Sequence, residues 1–147
     1  MAKTEQLTKN FTLDELTASA TAKRLGIDNT PNAEQLANIR KLADVLQKIR
    51  DAFGRPIVIN SAFRCEKLNN AVGGAKNSDH KYGAAADIQS VGDKFNKELW
   101  KQVNRLVQNG KIELRQIIDE YKLSWIHVSI NHKFNEYRKN QVLYITK

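Results

Sequence analysis

Two short alternating segments constrain this chain more than any other part of it. Between Ala84 and Gln89, the residues Ala84, Ala86 and Ile88 fall on one face of a strand and Ala85, Asp87 and Gln89 on the other. Between Trp125 and Ile130, the apolar face is Ile126, Val128 and Ile130, and the opposite face is Trp125, His127 and Ser129. Each segment reads as a half-buried strand whose polar face carries a metal-ligating side chain. The chain must therefore build a sheet with one packed face and one face open to a cleft. Upstream of Asp87, the run S-D-H-K-Y-G-A-A-A-D from Ser78 adds His80, and its glycine and alanines let the backbone turn and pass close beside an ion. Two imidazoles and one carboxylate, with a fourth position left to water, form a catalytic rather than a structural zinc set. Taken singly, His80 is as well explained by an exposed loop and His127 by a histidine satisfied within a sheet; together with Asp87 they favour the metal site.

The remaining pattern supplies scaffold. Leu7 to Gly26 predicts one or two short helices, with Thr12 or Asp14 capping the L-D-E-L turn. Thr30 as N-cap and Pro31 as first residue predict a long helix carrying Leu36, Ile39, Leu42, Ala43, Leu46, Ile49 and Phe53 at spacings of three and four, ended by Gly54. Pro56 to Asn60 reads as a buried strand, Cys65 to Val72 as two helical turns, and Gly73-Gly74 as a sharp turn into the metal loop. Asp93 to Asn109 predicts an amphipathic helix with Phe95, Leu99, Val103, Leu106 and Val107 on its buried face. Ile112 to Glu120 and Ser124 to Ile130 predict neighbouring strands, and Val142 to Ile145 an edge strand. Helices followed by a strand-rich second half imply an α+β fold, helices packed on a mainly antiparallel sheet, in a single domain spanning residues 1–147.

Hydrophobic residues at 41% and charged residues at 27% exclude wholesale disorder, and no apolar run is long enough for membrane insertion. The first ten residues lack a secretory pattern, so the expectation is synthesis in the bacterial cytoplasm without a signal peptide. The single cysteine, Cys65, excludes an intramolecular disulfide and reads as a small buried hydrophobe outside the site. A net charge of +8 calls for an anionic partner, either nucleic acid, a lipid surface or the acidic polymers of a bacterial wall. No zinc-finger, RNP or basic-zipper pattern accompanies it, which argues against a specific nucleic-acid partner.

The pattern S-x-H-x-x-G-x-A-x-D followed by W-x-H resembles the zinc D-alanyl-D-alanine carboxypeptidases, peptidase family M15, and among them the short members of phages and prophages. The likeness extends to F-T-L-D-E-L-T-A-S at Phe11 to Ser19, N-S-A-F-R at Asn60 to Arg64 and L-N-N-A-V-G-G-A at Leu68 to Ala75, in the family's order. It implies the hedgehog-like fold of that group, one zinc ion held by His80, Asp87 and His127, and Arg64 near the substrate. A guanidinium there suits bidentate pairing with a peptide carboxylate better than a lysine; without the likeness, a surface salt bridge to Glu66 is the plainer reading. The implied substrate is the stem peptide of peptidoglycan, cut at a terminal D-alanine or at an internal bond such as L-alanine–D-glutamate. A monomer acting on the wall after phage lysis, or as a virion component, fits the same resemblance.

A zinc peptidase also needs a group to carry a proton from water to the leaving amine. In many family members the acid lies three residues before the last histidine, where this chain has Ser124. The run Q-I-I-D-E resembles the phage-type members and points to Glu120, with Asp119 as its rival on the opposite strand face and Gln116 assisting from the same strand. Ser78 either hydrogen-bonds the site or substrate or caps a turn. His132, at an odd offset from His127, is expected on the surface and outside the ligand set. Two further classes stay open: an inactive zinc-containing wall-binding module, favoured by Ser124, and a basic nucleic-acid binder, which leaves the ligand pattern unexplained.

Overall fold

A computed structural model describes residues 5–146. Two short helices open it, α1 (Leu13–Thr17) and α2 (Ala20–Leu25). Thr12 Oγ1 accepts from the Glu15 amide and Ser19 Oγ from the Ala22 amide, so each helix begins on a hydroxyl cap. The long helix α3 runs Ala33–Phe53 and starts two residues later than Thr30 and Pro31 suggest. Its cap is Asn32, because Asn32 and Gln35 form a reciprocal capping box: the Gln35 amide donates to Asn32 Oδ1 at 2.8 Å and the Asn32 amide to Gln35 Oε1 at 2.8 Å. Thr30 is instead held in the preceding turn by Asp28.

Strand β1 (Ile57–Ser61) leads to α4 (Glu66–Ala71), a 3-10 turn at Asp79–Tyr82 and β2 (Ala85–Ser90). Helix α5 spans Asn96–Gln108, followed by β3 (Gln116–Glu120), β4 (Trp125–Ser129) and β5 (Gln141–Ile145). The sheet order is β1-β2-β4-β3-β5, antiparallel throughout except for β5, which lies parallel to β3. It is the α+β arrangement expected from the sequence, with two local corrections. Strand β1 sits at the sheet edge and leaves Val58 exposed, so it is not fully buried. Helix α5 begins after Phe95, since Gly92 and Asp93 take positive φ values of 65° and 55° and break the helix; Phe95 lies exposed beneath the Arg55 guanidinium, 3.9 Å from its ring centre.

Register decides which side chains share a face. One row across the sheet is Ala86–Val128–Ile117 and the next is Ile88–Ile126–Asp119. The apolar members of these rows join Leu42, Leu46, Ile49, Leu99 and Val103 in one core beneath α3 and α5. The alternate rows, Asp87–His127–Ile118 and Trp125–Glu120, lie on the other face.

The first turns of α3 brace the 3-10 turn that carries His80. Gln35 Nε2 donates to the Lys81 carbonyl at 3.1 Å and Asn38 Nδ2 to the Tyr82 carbonyl at 2.9 Å. Gly83 ends that turn with φ 74°, and a Cβ there would stand 2.5 Å from the Gln35 carbonyl oxygen and 2.8 Å from Ile39 Cγ1. Gly83→Ala therefore meets both a left-handed backbone and backbone it cannot displace. Its expected cost is about 2–4 kcal/mol, read as a lowered midpoint in denaturant unfolding with unchanged slope.

Candidate metal centre

His80 comes from the 3-10 turn, Asp87 from β2 and His127 from the neighbouring strand β4, where Asp87 and His127 are direct register partners. One potential ligand atom from each lies within 4.8 Å of the others. His80 Nδ1 is 2.6 Å from the Ala62 carbonyl oxygen, which accepts only, so that nitrogen carries the proton. The lone pair on Nε2 is thereby turned inward, 3.4 Å from Asp87 Oδ1, and His127 Nδ1 stands 3.0 Å from the same oxygen. The three side chains are 3%, 17% and 12% exposed.

Burial pushes the His80 imidazole pKa down, outweighing the pull of Asp87, and keeps the ring neutral. Burial alone would raise the Asp87 pKa, but the hydrogen bond from His127 and the imidazoles around it hold it well below the usual carboxylate range. A neutral imidazole and an ionised carboxylate are the forms that donate to a cation.

The centre opens into a cavity of about 340 Å³ whose lining includes Arg64, Ser78, Gln116, Glu120 and Trp125. Arg64 donates its backbone amide to the His80 carbonyl at 3.1 Å, and Asn29 braces the segment by donating to the Phe63 carbonyl and accepting from the Cys65 amide. Arg64 Nε is buried with no hydrogen-bond partner. Burial lowers the guanidinium pKa and Asp87 raises it. Glu66 pairs with Lys81 at 3.5 Å. Ser78 Oγ accepts from the His80 amide at 3.2 Å and so caps the turn while lining the cavity. Cys65 is half-buried rather than a core residue, and its Sγ caps α4 by accepting from the Leu68 amide.

Glu120 and Asp119 are separated by strand alternation. Glu120 pairs with Trp125, two residues from His127, and lines the cavity. Its pKa is raised, chiefly by burial and also by Asp87 and Asp119, with His127 acting in the opposite sense. Asp119 points away, and its Oδ1 accepts from the Leu123 amide at 2.6 Å. The connection between them and β4 is unusual: Tyr121, Lys122 and Leu123 all adopt positive φ, 54°, 57° and 60°. No glycine relieves this left-handed turn, which costs on the order of 1–2 kcal/mol per residue.

The family described as Peptidase M15 matches residues 9–129. The chain belongs to that family. The zinc D-Ala-D-Ala carboxypeptidase of Streptomyces albus G is 52% identical to this M15 chain over 44 residues, 29% of the chain. The match spans only 17% of that relative's length. The crystal structure of the Serratia marcescens L-Ala D-Glu endopeptidase ChiX aligns with a TM-score of 0.46 at 17% identity, covering 67% of this chain and 87% of that one.

One group of buried polar residues in this M15 chain is not announced by its sequence. His132 is not on the surface: its side chain is 1% exposed and its Nε2 lies 2.8 Å from Asp79 Oδ1. Asp79, itself buried, also accepts from Asn135 Nδ2 at 2.7 Å and from Arg115 Nη1 at 2.8 Å. Arg115 spends its Nε on the Glu136 carbonyl. This network ties the segment after β4 to the turn that carries His80. Strand β4 ends at Ser129, so the odd spacing from His127 to His132 says nothing about faces. The identity of Asp79 beside His80 is the only signal the sequence offers.

Proposed function

We propose that this chain is a zinc-dependent peptidase that cuts an amide bond in the stem peptide of bacterial peptidoglycan. The observation that carries the reading is the meeting of His80, Asp87 and His127, with ligand atoms within 4.8 Å of one another, at the base of a cavity that also holds Arg64 and Glu120. The donor set fits one zinc ion: two imidazole nitrogens and an ionised carboxylate, with the second His80 nitrogen committed to the Ala62 carbonyl. When bound, the ion supplies a Lewis acid that polarises a carbonyl and acidifies water. Family membership and the name of the Streptomyces relative support the metal and the wall substrate. The net charge of +8 suits acidic wall polymers.

The protein's own groups then divide the work. Glu120, its pKa raised by burial, accepts a proton from water and returns it to the leaving amine. Arg64, whose buried Nε has no partner, offers its guanidinium to a substrate carboxylate and orients the scissile bond. Ser78 holds the His80 turn, and Gln116, whose Nε2 donates to Gln141, shapes the cavity wall. Asp119 has no place in proton transfer, because its carboxylate is committed to Leu123 on the other face of β3. One hydrophobic cluster joins the helices and the sheet, which supports treating the chain as one peptidase domain. Among the described residues no helix is long and apolar enough to cross a membrane. Action as a monomer after phage lysis, or from within a virion, follows from likeness to the short M15 members alone.

A second reading, an inactive zinc-containing wall-binding module, is favoured by Ser124, whose Oγ is spent on the Tyr121 carbonyl. Mass spectrometry of purified muropeptides after incubation with zinc-loaded protein separates the two. Peptidase action yields chelator-sensitive products, free D-alanine if the terminal bond is cut or a new D-glutamate amino terminus if the internal bond is cut. Intact muropeptides with zinc bound to the protein would leave the binding module.

A further inference from the structure

The β3–β4 turn is held in its left-handed form from two sides. On one side Asp119 Oδ1 accepts from the Leu123 amide. On the other, Asn96 Nδ2 donates to the Leu123 carbonyl at 2.8 Å and to the Ser124 carbonyl at 3.2 Å. Asn96 is 3% exposed, and its Oδ1 accepts from the Ser90 amide at 2.8 Å and the Ser90 hydroxyl at 3.0 Å. The Ser90 hydroxyl in turn accepts from the Phe95 amide at 2.8 Å. The carboxamide thus spends donor and acceptor alike in joining the end of β2 to the turn. Three consecutive non-glycine residues with positive φ persist only where their surroundings over-determine them. Here the over-determined turn is closed by the Glu120–Trp125 pair, and both residues line the cavity.

We propose that Asp119 and Asn96 are positioning residues that clamp the left-handed Tyr121–Leu123 turn and thereby fix where the Glu120 carboxylate stands relative to His127. This rests on the reading of Glu120 as the proton carrier. Relaxation of the turn to ordinary φ values would move its closing pair first, because Glu120 and Trp125 are the last residues held by the ladder before the turn. Displacement of a reacting group by about 1 Å can cost 100-fold in rate. Asp119 acts on the turn as a hydrogen-bond acceptor, so its negative charge is dispensable and an asparagine oxygen in its place serves.

The test compares Asp119→Asn, Asp119→Ala, Asn96→Ala and Glu120→Gln, reading muropeptide hydrolysis alongside hydrogen exchange of the amides of residues 121–124. Asp119→Asn is expected to keep kcat within about 3-fold of wild type and to keep the Leu123 amide protected. Asp119→Ala is expected to lose roughly 10–100-fold in kcat, with KM and zinc content unchanged and the Leu123 amide exchanging faster. Should Asn96→Ala fail to fold, the Asp119 pair carries the test alone. A fully active Asp119→Ala, or one whose Leu123 amide stays protected, would overturn the clamp. So would an inactive Asp119→Asn, which would make the charge itself essential. An active Glu120→Gln would instead remove the proton-carrier reading and leave the exchange data to judge the clamp.

Discussion

Replacing Glu120 with glutamine is expected to lower kcat for muropeptide hydrolysis by about 10²–10⁴-fold, while zinc content and thermal midpoint stay at wild-type values. Glutamine keeps the shape of the side chain and its hydrogen-bonding reach but cannot accept and return a proton. The register of β3 on β4 sets Glu120 beside Trp125 and two residues from His127, as the proposed proton carrier requires. Its pKa is raised by burial, moving it toward the range in which a carboxyl exchanges protons near neutrality. Because Glu120 is outside the three-residue ligand set, the metal should remain when it is neutralised. Loss of zinc from the variant, or a change in rate below 10-fold, would place the proton carrier elsewhere.

Asp79→Ala is expected to be the most destabilising single change near the site. The Asp79 side chain is 4% exposed and answers Arg115, which is 12% exposed, and His132, which is 1% exposed. Burial alone would raise the Asp79 pKa, but hydrogen bonds from His132 and Asn135 and the charge of Arg115 bring it below the usual value. Removing the carboxylate leaves a buried guanidinium and an imidazole without their acceptor. Breaking a buried pair in this way costs about 3–5 kcal/mol, or roughly 6–20 °C in thermal midpoint for a domain of this size. Differential scanning calorimetry reads this directly. Asp79→Asn, which retains one acceptor oxygen, should fall between the wild-type protein and Asp79→Ala. A drop of under 1 kcal/mol for Asp79→Ala would mean that the segment after β4 is held by other contacts, such as the stack of Tyr82 on Phe134 at 5.0 Å.

Much of this arrangement is legible in the residue pattern, and the rest is hidden for identifiable physical reasons. Period-two alternation around Asp87 and His127 is enough to place both on the open face of a sheet, since one face of each strand is fully apolar. Asp119 and Glu120 are different, because alternation puts them on opposite faces without saying which face is which. That choice is made by a four-residue connection, Tyr121 to Ser124, whose left-handed backbone has no glycine or asparagine to announce it. His132 is hidden because a parity argument holds only while a strand continues, and β4 ends three residues earlier, at Ser129. Asn32 displaces Thr30 as the cap of α3 because Gln35 completes its capping box. Asp79 and Arg115 are ordinary charges in sequence, and only the fold shows them buried together.

One zinc ion held by His80, Asp87 and His127 is proposed to drive hydrolysis of the peptidoglycan stem peptide. Titrating zinc into chelator-stripped protein while following peptide release from purified peptidoglycan tests this in a single curve. The predicted result is no release without metal and a linear rise in rate that breaks at about one equivalent per chain, with Asp87→Ala flat throughout. Release that is already maximal before zinc is added, or an Asp87→Ala curve that follows wild type, would contradict it.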